Sequence, residues 1–169
     1  MSQAKIKEAF DRGFEFEKNY HGCAQCVVGA LYEVFPELSN EDVFRAASAL
    51  GAGVGGSTKG HCGALSGSVM VLSQLYGREL KKIDDPEGKR FVAYKLGAAM
   101  VQHFHNEYGT VICGEIQKKL MGKSFDLLSP EGFCEFVEAG GHDRVCPTVV
   151  GKATQWATQL ILEIRSGEN

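Results

Sequence analysis

The chain has 169 residues, 44% of them hydrophobic, which is enough for a single domain over residues 1–169 that buries its own core. Its formal net charge is −3, with basic and acidic residues interspersed, and this argues against nucleic acid or an anionic membrane as a partner. Because the N-terminal segment lacks an apolar h-region and no apolar run reaches the ~20 residues that span a bilayer, we expect a cytoplasmic protein with no signal peptide and no membrane insertion.

The spacing of apolar residues predicts an all-α bundle of about seven to eight helices. Several helix ends are marked by the residue types that favour them: Pro36 and Gly77 each follow a predicted helix, and Pro147 begins the last one. The alternating pattern of a β-strand is scarce. The predicted helices cover residues 3–18, 23–35, 40–50, 62–76, 87–108, 113–121, 129–139 and 148–165.

A glycine-rich segment at residues 51–61 joins the third predicted helix to the fourth. Glycine permits positive φ and close approach of the backbone, so we predict that Gly55, Gly56 and Gly63 form a cofactor-binding wall with their backbone N–H groups. The segment looks like a dinucleotide-binding fingerprint, but it follows a helix and not a strand. We therefore expect no nucleotide cofactor.

The six cysteines are the unusual feature of the composition, because thiols in a reducing compartment favour metal binding or redox chemistry over disulfides. Four of them fall where we predict the start of a helix. A helix dipole stabilises a thiolate there by roughly 0.3–1 kcal/mol, which predicts low-pKa thiols in one shared site, with dispersed structural thiols as the alternative. These four residues are Cys23, Cys62, Cys113 and Cys146.

The other two cysteines lie outside this pattern. Cys26 completes a Cys-x-x-Cys motif with Cys23, and it is either a fifth thiol of the site or a buried neighbour. Val27 follows this motif where c-type haem attachment needs histidine, so we expect no covalent haem. Cys134 is predicted to lie in the core, beside Phe133.

Two segments around these cysteines form a pattern, Gly22-Cys23-Ala24-Gln25 and Cys62-Gly63-Ala64-Leu65-Ser66-Gly67, and Cys113 and Cys146 follow them. In this pattern the chain resembles the C_GCAxxG_C_C family of redox-active proteins over roughly residues 20–160. The C-terminal region of split-Soret cytochromes is related to this family, although their haem-attachment sequence is absent here. The resemblance implies a redox or metal role for the four matched thiols, and it supplies no substrate or reaction.

Three hypotheses follow. In the first, Cys23, Cys62, Cys113 and Cys146, with or without Cys26, bind an iron–sulfur cluster or another thiophilic metal such as zinc or iron, for electron transfer, sensing or metal handling. In the second, the protein is a metal-free thiol–disulfide oxidoreductase in which Cys23 attacks and Cys26 or Cys62 resolves.

The third hypothesis is a non-enzymatic helical interaction module whose cysteines only pack. The sequence names no redox partner protein. Small residues at positions 64–68 leave room for another helix at close range, and a homodimer is a further expectation from them.

Overall fold

The structure is a computed structural model, and it describes residues 2–167. Within that range the chain is all-α, as predicted, with eight α-helices and no β-strand. The helices are α1 (Ser2–Tyr20), α2 (Cys23–Val34), α3 (Glu41–Ala46), α4 (Gly63–Tyr76), α5 (Lys89–Tyr108), α6 (Cys113–Met121), α7 (Pro130–Glu138) and α8 (Cys146–Ser166).

Two segments differ from the prediction. The third helix is shorter than 40–50, because the chain tightens into a 3-10 turn at Ser48–Leu50 before it enters the glycine-rich segment. The segment before Cys146 was expected to be a loop, and this was wrong: it forms a π-helix at Gly141–Val145 that runs directly into α8. Pro147 lies in the first turn of α8, where proline is tolerated because it has no N–H group and its fixed φ suits a helix.

The framework of the bundle is α1 packed along α8, with α2 and α4 completing the core. Small residues permit these close contacts. A Cβ on Gly67 of α4 would overlap the carbonyl oxygen of Ala24 in α2, so only glycine lets these two helices approach so closely. The small face of α4 that favoured a homodimer is therefore buried within the chain, and dimerisation stays a prediction.

This packing brings the starts of four helices together. Helices α2, α4, α6 and α8 begin around the same cavity, and α1 runs past it. None of the helices in residues 2–167 combines the length and the apolar character that crossing a bilayer requires.

Candidate cysteine site

Four cysteines from distant parts of the sequence line one cavity of about 280 Å³, which we call the cysteine cavity. We refer to the four as the site cysteines, and all are free thiols, buried or half-buried. Each begins or directly precedes a helix, as the sequence predicted. The site cysteines are Cys23, Cys62, Cys113 and Cys146.

Backbone hydrogen bonds between two separate segments bring Cys62 and Cys113 to the same cavity. The Cys62 N–H donates to the carbonyl of Val111 at 2.8 Å, and the Cys113 N–H donates to the carbonyl of Gly60 at 3.0 Å. The short pairing between them includes a single antiparallel bridge from His61 to Ile112. Residues that are about 50 positions apart in the sequence therefore start their helices side by side.

Cys23 is held by the glycine-rich segment. The N–H of Ala52 donates to Cys23 Sγ at 3.4 Å, and Ala52 takes a left-handed φ of 50° there. A Cβ on Gly63 would lie 2.5 Å from the same sulfur, which is too close for any side chain. Only glycine at position 63 allows the sulfur of Cys23 to lie where it does.

The glycines that we expected at a cofactor site are found around the cavity. Gly55 and Gly56 line it, and Gly63 contacts Cys23. Both lining glycines have positive φ, 60° and 79°. A further glycine, Gly53, leaves room for Cys113, because a Cβ there would lie 2.9 Å from the Cβ of that cysteine.

The expectation of low-pKa thiols was wrong for the free side chains. Burial raises the pKa of Cys62 and of Cys113 to about 12. Burial also raises the pKa of Cys23 and of Cys146, and the negative charge of Glu17 adds to both shifts. Backbone N–H groups at the start of α4 oppose the rise at Cys62, so the predicted helix-start effect is present and is outweighed by desolvation.

Glu17 is a residue of this cavity that the sequence analysis missed. It lies in α1, its side chain is only 3% exposed, and it lines the cavity with the site cysteines. Burial raises the pKa of its carboxyl to about 7, and the neighbouring Cys26 thiol opposes the rise. The sequence did carry a signal, because Glu17 shares the buried stripe of α1 with Ala9 and Gly13 at intervals of four residues.

Two more polar side chains belong to the cavity. Gln117, one turn after Cys113, donates from Nε2 to its sulfur at 3.8 Å and accepts from the N–H of Phe125 at 3.0 Å. His142 lies in the π-helix and stacks on His21 with ring centroids 3.9 Å apart. Burial lowers the pKa of His142 to about 4, so this ring is neutral at pH 7.

The remaining two cysteines do not line the cavity. Cys26 is buried in the core and donates from its thiol to the carbonyl of His21 at 3.0 Å. Cys134 was predicted to be buried, and this was wrong: it is exposed on α7, where the neighbouring Phe136 is the side chain that faces the core.

The site cysteines line the same cavity, and their arrangement bears on the kind of metal site they could form. Among the described residues, no three histidine, cysteine, aspartate or glutamate side chains are arranged to hold one metal ion. A single zinc ion needs its sulfur ligands at about 2.3 Å from one centre. The free side chains in the described part of the chain are not arranged as the ligands of a single zinc ion.

Comparison with known proteins places the chain in a family. The family model described as "Putative redox-active protein (C_GCAxxG_C_C)" matches residues 21–160, more than four fifths of the chain and all four site cysteines. The chain belongs to the C_GCAxxG_C_C family. No curated protein matches the sequence of this chain, and no solved structure matches it either.

The cavity of this C_GCAxxG_C_C protein fits a sulfur-ligated group on three observations. It presents four thiols, a soft donor set that suits iron–sulfur clusters and zinc. Backbone N–H groups point at the sulfurs of Cys23 and Cys62, as they do around bound clusters. Glycines at the wall leave space where side chains would collide with the sulfurs.

Proposed function

We propose that this protein is an electron carrier whose site cysteines bind one iron–sulfur cluster in the cysteine cavity. The single observation that carries the proposal is the convergence of four thiols, from the starts of four different helices, on one cavity of about 280 Å³. When bound, such a cluster supplies reversible one-electron oxidation and reduction.

We favour a cluster over a single zinc ion because the four thiols line a cavity of about 280 Å³, which has room for a group of several atoms. A mononuclear site draws all its ligands to one centre, whereas a cluster distributes its cysteine ligands over separate iron atoms. The site cysteines surround a cavity, and in the described part of the chain no three metal-binding side chains meet around one ion position. The raised thiol pKa values are compatible with ligation, because a bound metal replaces the thiol proton.

The protein's own residues would protect and tune the cluster. The N–H groups of Ala52 and Gly63 donate to the sulfur of Cys23, and hydrogen bonds to sulfur raise the reduction potential of a cluster. Phe136, Val149 and Val150 give the cavity an apolar wall that limits access of water. These groups suit a carrier that exchanges electrons without binding an organic substrate.

The test is anaerobic purification followed by analysis of iron, acid-labile sulfide and absorption spectra. We expect a brown protein with equal amounts of iron and sulfide, and we expect Cys23→Ser, Cys62→Ser, Cys113→Ser and Cys146→Ser each to lower both contents severalfold. Cys134→Ser is the matched control, because its exposed thiol lies outside the cavity and its loss leaves the cluster intact.

Cys26→Ser separates this function from a thiol–disulfide cycle between Cys23 and Cys26. The buried Cys26 does not line the cavity, so its replacement is expected to preserve cluster content. A disulfide cycle through Cys23 and Cys26 requires that thiol and would be abolished. A folded, colourless protein without iron or sulfide after anaerobic reconstitution, which loses two thiols reversibly on mild oxidation, would overturn the proposal.

A further inference from the structure

Helix α5 carries two separate stripes of residues along its length. The first stripe is buried, recurs every four residues and packs towards α4 and α8; it consists of Leu96, Met100, Phe104 and Tyr108. The second stripe is exposed to solvent, and we call it the outer stripe. It consists of Phe91, Tyr94, Ala98, Val101 and His105.

The spacing of the outer stripe is that of a helix–helix contact. Its positions follow one another at intervals of three, four, three and four residues, which is the repeat of the a and d positions of a coiled coil. Such spacing keeps the side chains on one side of the helix over about four turns. The rings of Phe91 and Tyr94 already meet edge to face, with centroids 6.2 Å apart, so the aromatic end of the stripe is ordered.

The apolar surface around the outer stripe is large. Phe91 and Tyr94 are 56% and 64% exposed, and Leu80 and Ile83, in the segment before α5, are 86% and 58% exposed. Ion pairs from Lys89 to Glu79 and from Lys82 to Glu87 hold that segment beside the start of α5. Together with the exposed parts of Val92 and Val101, these side chains offer on the order of 600 Å² of apolar surface, which is at the upper end for a monomer.

This area is what a second copy of the chain would need. Covering the same patch on two chains removes about 1,200 Å² from water, the size at which stable protein interfaces begin. Nothing in residues 2–167 covers the outer stripe, since all five of its residues are exposed. A contact between identical patches about a twofold axis is also the commonest way in which soluble proteins associate.

The order of residues along the stripe favours an antiparallel pair. The large rings of Phe91 and Tyr94 lie in its N-terminal half, the smaller Val101 lies in its C-terminal half, and Ala98 is at the midpoint. An antiparallel arrangement therefore sets large side chains against smaller ones and lets the backbones approach at Ala98. It also opposes the two helix dipoles, whereas a parallel arrangement would bring the two copies of Lys95 together.

We propose that the protein is a homodimer in which the α5 helices of two copies pack antiparallel along the outer stripe, about a twofold axis at Ala98. This surface is different from the small-residue face of α4, which is buried within the chain. The inference is independent of the proposed function, because the outer stripe contains no residue of the cysteine cavity.

The experiment measures the mass of the full chain by sedimentation velocity at micromolar concentrations, with a reducing agent present to exclude disulfide links. We expect twice the chain mass of 18.3 kDa, with or without bound iron. Ala98→Glu places two carboxylates against each other on the axis, and we expect it to raise the dissociation constant by at least about a hundredfold. Ala4→Glu, at an exposed alanine of α1, is the matched control and keeps the wild-type mass.

Tyr94→Glu is a second variant that breaks the dimer without disturbing the fold, because the side chain of Tyr94 is mostly exposed. Circular dichroism is expected to show wild-type helix content for all three variants. A wild-type chain that sediments as a monomer overturns the inference and leaves the outer stripe to a different protein. A dimer that both Ala98→Glu and Tyr94→Glu leave intact overturns it as well.

Cross-linking tests the antiparallel arrangement, in a Cys134→Ser background that lacks the exposed thiol. On mild oxidation, Ala98→Cys is expected to give a chain pair on a non-reducing gel, because position 98 lies on the axis. Tyr94→Cys is expected to give none, because its two copies would be about 12 Å apart along the helices, too far for a disulfide. Linkage at position 94 without linkage at position 98 contradicts the proposed axis.

Discussion

Because Gly63 has no side chain, the sulfur of Cys23 can lie directly against it. A Cβ at position 63 would be 2.5 Å from that sulfur and 2.9 Å from the Cα of Gly51, so an alanine there must displace one of them. We expect Gly63→Ala to lose the proposed cluster to a chelator about tenfold faster than the wild type, which is the size of effect found for residues that support metal ligands. Loss of the cluster absorbance after addition of an iron chelator measures the rate.

Gly97→Ala is the matched control for this prediction. Gly97 lies within α5, and the nearest atom to an added Cβ is a methyl group of Val69 at 3.8 Å, an ordinary contact. Alanine in a helix interior is favoured over glycine by roughly 0.5–1 kcal/mol, so this variant is expected to be slightly more stable and to release iron at the wild-type rate. Equal release rates in both variants would show that the contact with Cys23 is unimportant.

Residue types alone allowed the site cysteines to be singled out, because all four occur at predicted helix starts. Their pKa values could not be predicted in this way, since the dipole at a helix start is a local property and desolvation depends on the whole fold. Cys134 shows the same limit: its apolar neighbour Phe133 favoured a buried position, and the rotation of α7 on the core exposes both. Glu17 was missed because charged residues are rarely buried.

At the scale of elements, the short helix α3 positions the start of the glycine-rich segment. The side chain of Asn40 accepts hydrogen bonds from the N–H groups of Asp42 and Val43 at 3.0 and 3.1 Å, and α3 buries no residue of its own. We expect Asn40→Ala to lower the free energy of unfolding by about 1 kcal/mol, the usual effect of losing a helix cap. Chemical denaturation measures this as a lower midpoint with an unchanged slope.

Asn40→Ser provides the control, because serine at this position keeps an oxygen that can accept from the same N–H groups. Its free energy of unfolding is expected to stay within a few tenths of a kcal/mol of the wild type. An alanine variant as stable as the serine variant would mean that α3 does not depend on its cap.

The sequence predicted the number and most of the bounds of the helices, because apolar spacing and the residues at helix ends are local signals. The π-helix at Gly141–Val145 escaped prediction for a physical reason. Its Gly-His-Asp-Arg-Val sequence has the composition of a loop, and Gly141 packs against the ring of Phe136, a tertiary contact that no local pattern reports.

At the scale of the whole molecule, the sequence predicted that the site cysteines come together, but only the fold shows that they line one cavity. It depends on hydrogen bonds between the segments around Gly60 and Val111, and on the packing of α1 along α8. Such contacts join residues far apart in the chain, and their register is set by the complete core. The same packing places Glu17 of α1 beside thiols from four other helices.

That burial makes the stability of the protein without metal depend on pH in a defined direction. The carboxyl of Glu17 has a pKa of about 7 when folded and an ordinary value of 4.5. As the pH rises above 4.5, the unfolded chain loses this proton first, so the contribution of Glu17 to stability is fully present below pH 4.5 and is lost as the pH passes about 7. At 1.36 kcal/mol per pKa unit the loss is about 3 kcal/mol, because the group is almost fully buried.

His142 opposes this trend and has to be separated from it. Its pKa is lowered to about 4 from 6.5, so its contribution to stability is present above pH 6.5 and is lost as the pH falls toward 4. Subtracting the free energy of unfolding of Glu17→Gln from that of the wild type cancels the histidine, which both proteins share. We expect this difference, measured by chemical denaturation of the metal-free reduced proteins, to fall by about 3 kcal/mol between pH 4.5 and 7 and then to level off. A difference that stays constant across that range would mean that the carboxyl of Glu17 is solvated and is not buried beside the site cysteines.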